Sequence, residues 1–109
     1  MTGWTGGQRS VGDIAPALAH YTDQVLFDEV WERTELAKRD RSLVTVAALV
    51  TLGNLDQLEF HLRFARDNGV TEEELVEAIT HLAFYTGWPR AMAAVGVARA
   101  AFAPSSDAD

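Results

Sequence analysis

The stretch that decides the fold covers residues 39–89 and reads RDRSLVTVAALVTLGNLDQLEFHLRFARDNGVTEEELVEAITHLAFYTGWP. Near its middle, Asn68 and Gly69 form a stop signal, because glycine readily takes the left-handed conformation in which many helices end. Directly afterwards, Thr71 and Glu74 have the spacing of a capping box, a reciprocal pair of hydrogen bonds at the start of a helix. One helix that ends where the next begins predicts a series of short helices.

Working outward from this point, the sequence predicts five helices. The segment LVTVAALV is rich in β-branched residues and would also suit a buried strand, but a helix is preferred because no partner strand is visible elsewhere. Asp40 is a plausible N-cap for this helix. Asn54 and Gln57 resemble a second capping box, and Pro89 suits the first position of the last helix. The predicted helices cover residues 14–32, 40–53, 54–68, 71–87 and 89–102.

Apolar residues recur at helical spacing in the third and fourth predicted helices and indicate their core faces. The domain boundaries follow from the same pattern: a flexible N-terminus over residues 1–13, one helical domain over 14–103 and a flexible tail over 104–109. The residues predicted to face the core are Leu55, Leu58, Leu62 and Ala65 in the third helix, and Leu75, Ala78, Ile79, Leu82 and Thr86 in the fourth.

The last helix, RAMAAVGVARAAF, is apolar on nearly every face. Such a helix is normally buried, and five short helices cannot surround both it and the apolar second helix. A homo-oligomer is therefore expected. The alternative is a small-residue helix in the tight core of a monomer.

Composition excludes several classes of protein. The chain has 109 residues, of which 48% are hydrophobic, so it is too apolar for a disordered protein. No apolar run approaches the roughly 20 residues of a membrane span, and no signal-peptide pattern is visible, so a soluble cytoplasmic protein without a membrane partner is expected. A net charge of −7 argues against nucleic acid. A small anionic organic substrate remains compatible, because local arginines can override the global charge.

The chain contains no cysteine and three histidines, His20, His61 and His81. Disulfides, thiolate catalysis and cysteine-ligated metals are therefore excluded. No HxH, HExxH or HxxxH spacing is present, so a metal site built from sequence-local ligands is not expected. His20 is interpreted as structural or exposed.

The other two histidines are candidates for acid–base catalysis. His61 borders an apolar stripe, where an imidazole that titrates near neutrality can act as acid or base; alternatively it is a boundary residue with one hydrogen bond. Glu77, His81 and Tyr85 follow one another at intervals of four and share a helix face. There the carboxylate would orient the imidazole and the phenol would donate to an oxyanion. The alternative is a surface row with a weak ion pair.

Four further residues are candidates for substrate binding. Arg39 and Arg41 precede the apolar second helix, and a guanidinium can hold a carboxylate in a bidentate fork; more often such charges only solvate a helix end. Phe84 and Trp88 would form a pocket wall, or alternatively belong to the core.

Three of these segments together resemble the carboxymuconolactone decarboxylase family: RDRSLVTVAAL, FHLRFARDNGVTEEEL and EAITHLAFYTGWPRAMAAV. The resemblance implies an all-α, alkyl hydroperoxidase D-like domain of about five to six helices that assembles into a ring, commonly a trimer or hexamer. It also implies cofactor-free decarboxylation of 4-carboxymuconolactone, a step in aromatic-acid catabolism.

The superfamily also contains thiol peroxidases, whose signature is a glutamate, a CxxC pair and a histidine four residues later. Aligning that histidine with His61 puts Asn54 and Gln57 at the cysteine positions and Ser42 near the glutamate position. Thiol peroxidase activity is therefore excluded. His81 matches a histidine that looks typical of the decarboxylase branch.

The resemblance leaves two alternatives to the decarboxylase. One is a cofactor-free isomerase, cyclase or hydratase that acts on another small unsaturated acid with the same residues. The other is a non-catalytic oligomeric binding protein. Fold-level likeness does not choose among them, because one fold hosts many functions.

Overall fold

Every regular element between residues 3 and 104, the part of the chain that the computed structural model describes, is helical. The predicted all-α class is confirmed, and the described residues contain no strand. Six α-helices and one π-helical segment follow one another along the chain. They are α1 Gly6–Val11, α2 Pro16–His20, the π-helical segment Tyr21–Val30, α3 Lys38–Leu52, α4 Leu55–Asp67, α5 Glu72–Thr86 and α6 Trp88–Phe102.

The described residues group into two compact units, one up to Lys38 and one from Arg39 onward. The single domain predicted over residues 14–103 stays a prediction, as does flexibility at residues 1–13 and 104–109. Residues 1–2 and 105–109 lie outside the described part of the chain. Within residues 1–13, residues 6–11 form α1, which the sequence did not indicate.

A buried carboxylate organises the N-terminal unit. Asp23 accepts hydrogen bonds from the backbone N–H groups of Gly7 at 2.7 Å and Gln8 at 2.9 Å. Both N–H groups lie in the first turn of α1, where no helical carbonyl is available to them. Phe27 and Trp31 are buried nearby in the sequence, with stacked rings 6.3 Å apart. Asp23 therefore holds α1 to the π-helical segment Tyr21–Val30.

The predicted helix over residues 14–32 is present, but its second half winds differently. The backbone N–H of Trp31 donates to the carbonyl of Leu26 at 2.9 Å, five residues earlier, which is the spacing of a π-helix. Pro16 begins α2, where its missing N–H costs nothing.

Helix α6 packs against both α4 and α5 and contributes only alanines to the fully buried surface. Small residues let the helix backbones approach closely. Val70 adds to this core from the turn before α5. The buried residues are Val46 and Val50 of α3, Leu58, Leu62 and Ala65 of α4, Leu75, Ile79 and Ala83 of α5, and Ala91, Ala94, Ala98 and Ala101 of α6.

One predicted core residue is wrong: Leu55 is 37% exposed. It is the first residue of α4, and the helix turns its side chain away from the core that Leu58 and Leu62 enter. Helix α6 is also one-sided within this chain, because Met92 and Val95 lie on its exposed face.

The helix boundaries confirm most of the predicted signals. Gly69 and Gly87 have φ values of +98° and +101°, and helices end at both positions. Pro89 is the second residue of α6. Helix α3 begins at Lys38, so Asp40 lies inside its first turn and is not the N-cap. A carboxylate there is still favourable to the helix dipole.

The two predicted capping boxes have different outcomes. At α5, the Glu74 N–H donates to Thr71 Oγ1 at 3.0 Å and the Thr71 N–H donates to Glu74 Oε1 at 2.9 Å, which confirms the box. At α4, Asn54 is the N-cap residue but its side chain accepts no hydrogen bond, so the box with Gln57 is wrong. The backbone explains this: Thr71 is extended with ψ 159°, whereas Asn54 has ψ 75°.

Candidate functional site

An open groove of about 570 Å³ runs between α3 and α5. Each helix presents a row of residues at four-residue spacing, the spacing that places side chains on one helix face. The rows are Arg39, Leu43 and Ala47 on α3, and Glu74, Ala78 and Leu82 on α5, with Val44, Glu77 and His81 completing the lining. The floor is apolar and the charged side chains lie at its edges.

Arg39 lies at one end of this groove and is already engaged with carboxylates. Its guanidinium Nη2 donates to Glu74 Oε2, and its Nη1 lies 3.7 Å from Asp40 Oδ1. The pKa of the Glu74 carboxyl is lowered, first by the hydrogen bond from the Thr71 backbone and then by Arg39. A substrate carboxylate that binds Arg39 would have to compete with Glu74.

The predicted row on α5 is present, but Glu77 neither hydrogen-bonds to His81, as the catalytic interpretation expects, nor forms the weak ion pair of the alternative. Glu77 and His81 both line the groove and are exposed, and no hydrogen bond or ion pair joins them in the described structure. The His81 and Tyr85 rings lie 5.0 Å apart with an interplanar angle of 36°, and Tyr85 is 77% exposed. His81 therefore sits between a carboxylate one turn before it and a phenol one turn after it.

Phe84 and Trp88 belong neither to the groove lining nor to the buried core. Their rings meet edge to face at 5.1 Å, and the side chains are 74% and 55% exposed. The aromatic pair lies on the surface of this chain, and its role in substrate binding stays a prediction.

His61 has a different environment from His81 and does not line the groove. It is half-buried on α4, with the rings of Phe60 at 4.9 Å and Phe64 at 6.2 Å, both edge to face. Burial lowers the pKa of the imidazole. The structure thus separates the two candidate histidines into a half-buried and an exposed one.

Arg41 also lies outside the groove lining. Its side chain is half-buried, and its backbone carbonyl accepts a hydrogen bond from Thr45 Oγ1 at 2.8 Å. A role of Arg41 in substrate binding therefore stays a prediction without support from the groove.

Sequence reasoning treated Glu74 only as a capping residue and missed it at the edge of the groove. The signal was available in the four-residue spacing of Glu74, Ala78 and Leu82.

Within residues 3–104, no three histidine or acidic side chains converge as metal ligands would. In the same range, no helix is both long and apolar enough to cross a bilayer.

Comparison with known proteins shows the family of the chain. The profile of the Carboxymuconolactone decarboxylase family matches residues 16–100. The chain belongs to this family. It is 39% identical over 93 residues to the 4-carboxymuconolactone decarboxylase of Acinetobacter baylyi (strain ATCC 33305 / BD413 / ADP1). The aligned residues make up 85% of this chain and 69% of that protein.

A second member is similar over a shorter stretch. The nitrosuccinic acid decarboxylase npaB of Metarhizium robertsii (strain ARSEF 23 / ATCC MYA-3075) is 39% identical over 66 residues, which is 61% of this chain and 46% of that protein. Both relatives are named as decarboxylases. The comparisons therefore support a carboxy-lyase enzyme.

The lack of cysteine rules out one kind of chemistry for this member of the carboxymuconolactone decarboxylase family. The chain has no cysteine, so it cannot run the dithiol chemistry of the peroxidase branch. Near the glutamate position of that branch stands Ser42, which is fully buried and whose Oγ accepts a hydrogen bond from Asn68 Nδ2 at 2.9 Å. Ser42 ties α3 to the end of α4.

Proposed function

We propose that this enzyme decarboxylates 4-carboxymuconolactone or a closely related small unsaturated acid or lactone, without a cofactor, by histidine acid–base catalysis. The observation that supports this best is the groove between α3 and α5. It places the imidazole of His81 beside an apolar floor that contains Leu43 and Leu82, with the cation Arg39 at one end.

Decarboxylation requires an apolar surface, a hydrogen-bond donor and a proton donor in such a site. The bond to the departing carboxylate breaks, its electron pair moves into the conjugated carbonyl as a dienolate, and CO₂ leaves. An apolar floor favours this step because neutral CO₂ is less dependent on water than a carboxylate is. A hydrogen-bond donor must then stabilise the dienolate oxygen, and an acid must deliver a proton to carbon.

His81 fits the role of proton donor better than His61 does. Burial lowers the pKa of His61, so a smaller fraction of its imidazole carries a proton to donate near neutral pH. His81 is exposed at the groove, and Tyr85, one turn further along α5, can donate to the dienolate oxygen. Glu77 is exposed, and a rotation of its side chain would bring its carboxylate to His81. Arg39 would release Glu74 and bind a substrate carboxylate in its place.

A different substrate of the same reaction class is the second candidate. The Metarhizium robertsii relative is named for the decarboxylation of nitrosuccinic acid. Loss of CO₂ from such an acid needs the same two groups. They are a hydrogen-bond donor to the oxygen that receives the electron pair and an acid that protonates the carbon. Parallel assays of 4-carboxymuconolactone and nitrosuccinic acid decide which of the two is the better substrate.

We further propose that the enzyme is a homo-oligomeric ring, a trimer or hexamer. The support is the exposed apolar surface of Phe84, Trp88 and Met92, which a second copy of the chain would cover.

The test is turnover of 4-carboxymuconolactone, followed by ultraviolet absorbance, in chelator-treated wild-type protein and in the variants His81→Ala and His61→Gln. We expect His81→Ala to lose about a hundredfold or more in kcat, the usual size of a general-acid effect. His61→Gln should lose less.

His20→Ala is the matched control, because His20 is an exposed histidine that does not line the groove. It should turn over at the wild-type rate. Full activity in a folded His81→Ala variant would refute the proposed role of His81. Absence of turnover in the wild type would remove this substrate and leave nitrosuccinic acid to be assayed.

A further inference from the structure

A second hollow lies at the junction of α3 and α4, against the start of α6. It measures about 450 Å³ and shares no residue with the groove between α3 and α5. Arg90 provides its charge, and the remaining lining is mostly apolar. We call it the Arg90 hollow, and its lining residues are Gly53, Leu55, Thr86, Pro89, Arg90 and Ala93.

The Arg90 guanidinium lies against the backbone of Gly53, where a Cβ would otherwise be. A Cβ at residue 53 would overlap Arg90 Nη1, and Gly53 has a φ of +73°, a conformation that other residues rarely adopt. The turn between α3 and α4 therefore both requires glycine and brings the guanidinium against its backbone.

The positive charge of Arg90 is not compensated within the described chain. Arg39, Arg63 and Arg66 each donate to a carboxylate, whereas Arg90 makes no hydrogen bond or ion pair between residues 3 and 104. Arg90 also lies in the first turn of α6, which contains no acidic residue. A cation is unfavourable at that end of a helix, where the dipole favours an anion.

The other walls limit what an occupant can be. The Thr86 hydroxyl donates to the Leu82 carbonyl at 3.1 Å, so its proton is already used. Leu55, Pro89 and Ala93 offer only apolar surface. An adjoining hollow shares Gly53 and Leu55 and carries Asp56 on its lining, which disfavours an anion placed deeper on that side. One cation among apolar walls suits a small organic acid whose carboxylate meets Arg90.

We propose that the Arg90 hollow binds the carboxylate of a small organic acid, held by the guanidinium in a bidentate fork. The identity of the acid as substrate or product rests on the function proposed above, whereas the binding itself does not. Arg90 is available to an added carboxylate because its charge is unpaired within the described residues, whereas Glu74 already matches the charge of Arg39 in the groove between α3 and α5.

The experiment measures the binding of succinate and of its neutral diamide, succinamide, by calorimetry or by amide chemical shifts. The wild-type enzyme should bind succinate and not succinamide. Arg90→Gln should weaken succinate binding about tenfold or more, since hydrogen bonds between charged partners are the stronger kind. Arg90→Lys should recover part of the loss, because an ammonium lacks the fork.

A matched control makes the test specific. Arg99→Gln removes an exposed arginine, without a partner among the described residues, from the last turn of the same helix and should leave succinate binding unchanged. Equal binding of succinate and succinamide, wild-type affinity in Arg90→Gln, or an equal loss in Arg99→Gln would each overturn the proposal.

Decarboxylase assays on the same preparations separate this inference from the proposed function. Turnover in the wild type together with wild-type succinate affinity in Arg90→Gln overturns the Arg90 hollow and leaves the decarboxylase. Absence of turnover together with a selective loss in Arg90→Gln supports the hollow and removes the proposed substrate.

Discussion

At the scale of a single residue, the half-buried His61 links burial to the pH dependence of stability. Its pKa is lowered by burial in the folded chain, while an unfolded chain takes up the proton near the ordinary value of about 6.5. Below about 6.5 the unfolded state therefore binds more protons at this site than the folded state does. Stability should fall as the pH is lowered through about 6.5 toward the folded pKa.

The measurement is the urea midpoint as a function of pH in wild type and in His61→Gln. The wild-type midpoint should drop more steeply below about pH 6.5, and His61→Gln should lack that extra drop because glutamine does not titrate. His20→Gln, at an exposed position, is the matched control and should follow the wild type. The same pH slope in wild type and His61→Gln would contradict the prediction.

The two candidate histidines also show what sequence can predict about a site. The row of Glu77, His81 and Tyr85 follows from the helical period alone, and the structure contains it. That Arg39 and Glu74 share a groove with His81 depends on how α3 and α5 pack, which no local pattern encodes. The sequence equally gave no sign that Arg90 lies against Gly53, because the two residues meet only through tertiary structure.

At the scale of helices, the starts of α4 and α5 have similar sequence signals and different structures. Both place a capping residue three positions before Gln or Glu, yet only Thr71 and Glu74 form the reciprocal hydrogen bonds. Thr71 itself is extended, with ψ 159°, whereas Asn54 has ψ 75°. Asn54 follows the turn at Gly53, and its N–H donates to the Leu49 carbonyl at 3.0 Å. Of these two helix starts, the reciprocal hydrogen bonds form at the one whose N-cap residue has an extended backbone.

Substitution of Thr71 tests this difference. Thr71→Ala removes the acceptor of the Glu74 N–H and should lower the free energy of unfolding by about 1 kcal/mol. Asn54→Ala should cost clearly less, since its side chain accepts no capping hydrogen bond. Urea unfolding at constant pH measures both.

Thr80→Ala is the matched control, because Thr80 is an exposed threonine inside α5 whose hydroxyl bonds only to the Val76 carbonyl. Alanine has the higher helix propensity, so this variant should be as stable as the wild type or slightly more stable. Equal losses in Thr71→Ala and Asn54→Ala would contradict the assignment of the two helix starts.

At the scale of the whole molecule, the outer face of α6 and the end of α5 carry three large apolar side chains that are mostly exposed. Trp88 contacts Phe84, and Met92 follows Trp88 by one helical turn, so the three form one patch. Phe84, Trp88 and Met92 are 74%, 55% and 64% exposed. Contiguous apolar patches of this kind commonly mark protein–protein interfaces.

We therefore expect the enzyme to be a homo-oligomer held together at this patch. Light scattering coupled to gel filtration should give a wild-type mass that is a multiple of the 11.9 kDa chain, with a trimer or hexamer expected. Met92→Glu should shift the mass toward the monomer, because it would bury an unpaired charge. Met92→Leu keeps the size and apolar character of the residue and should preserve the assembly. A wild-type mass of 11.9 kDa, or an unchanged mass in Met92→Glu, would show that the patch is not an interface between copies of this chain.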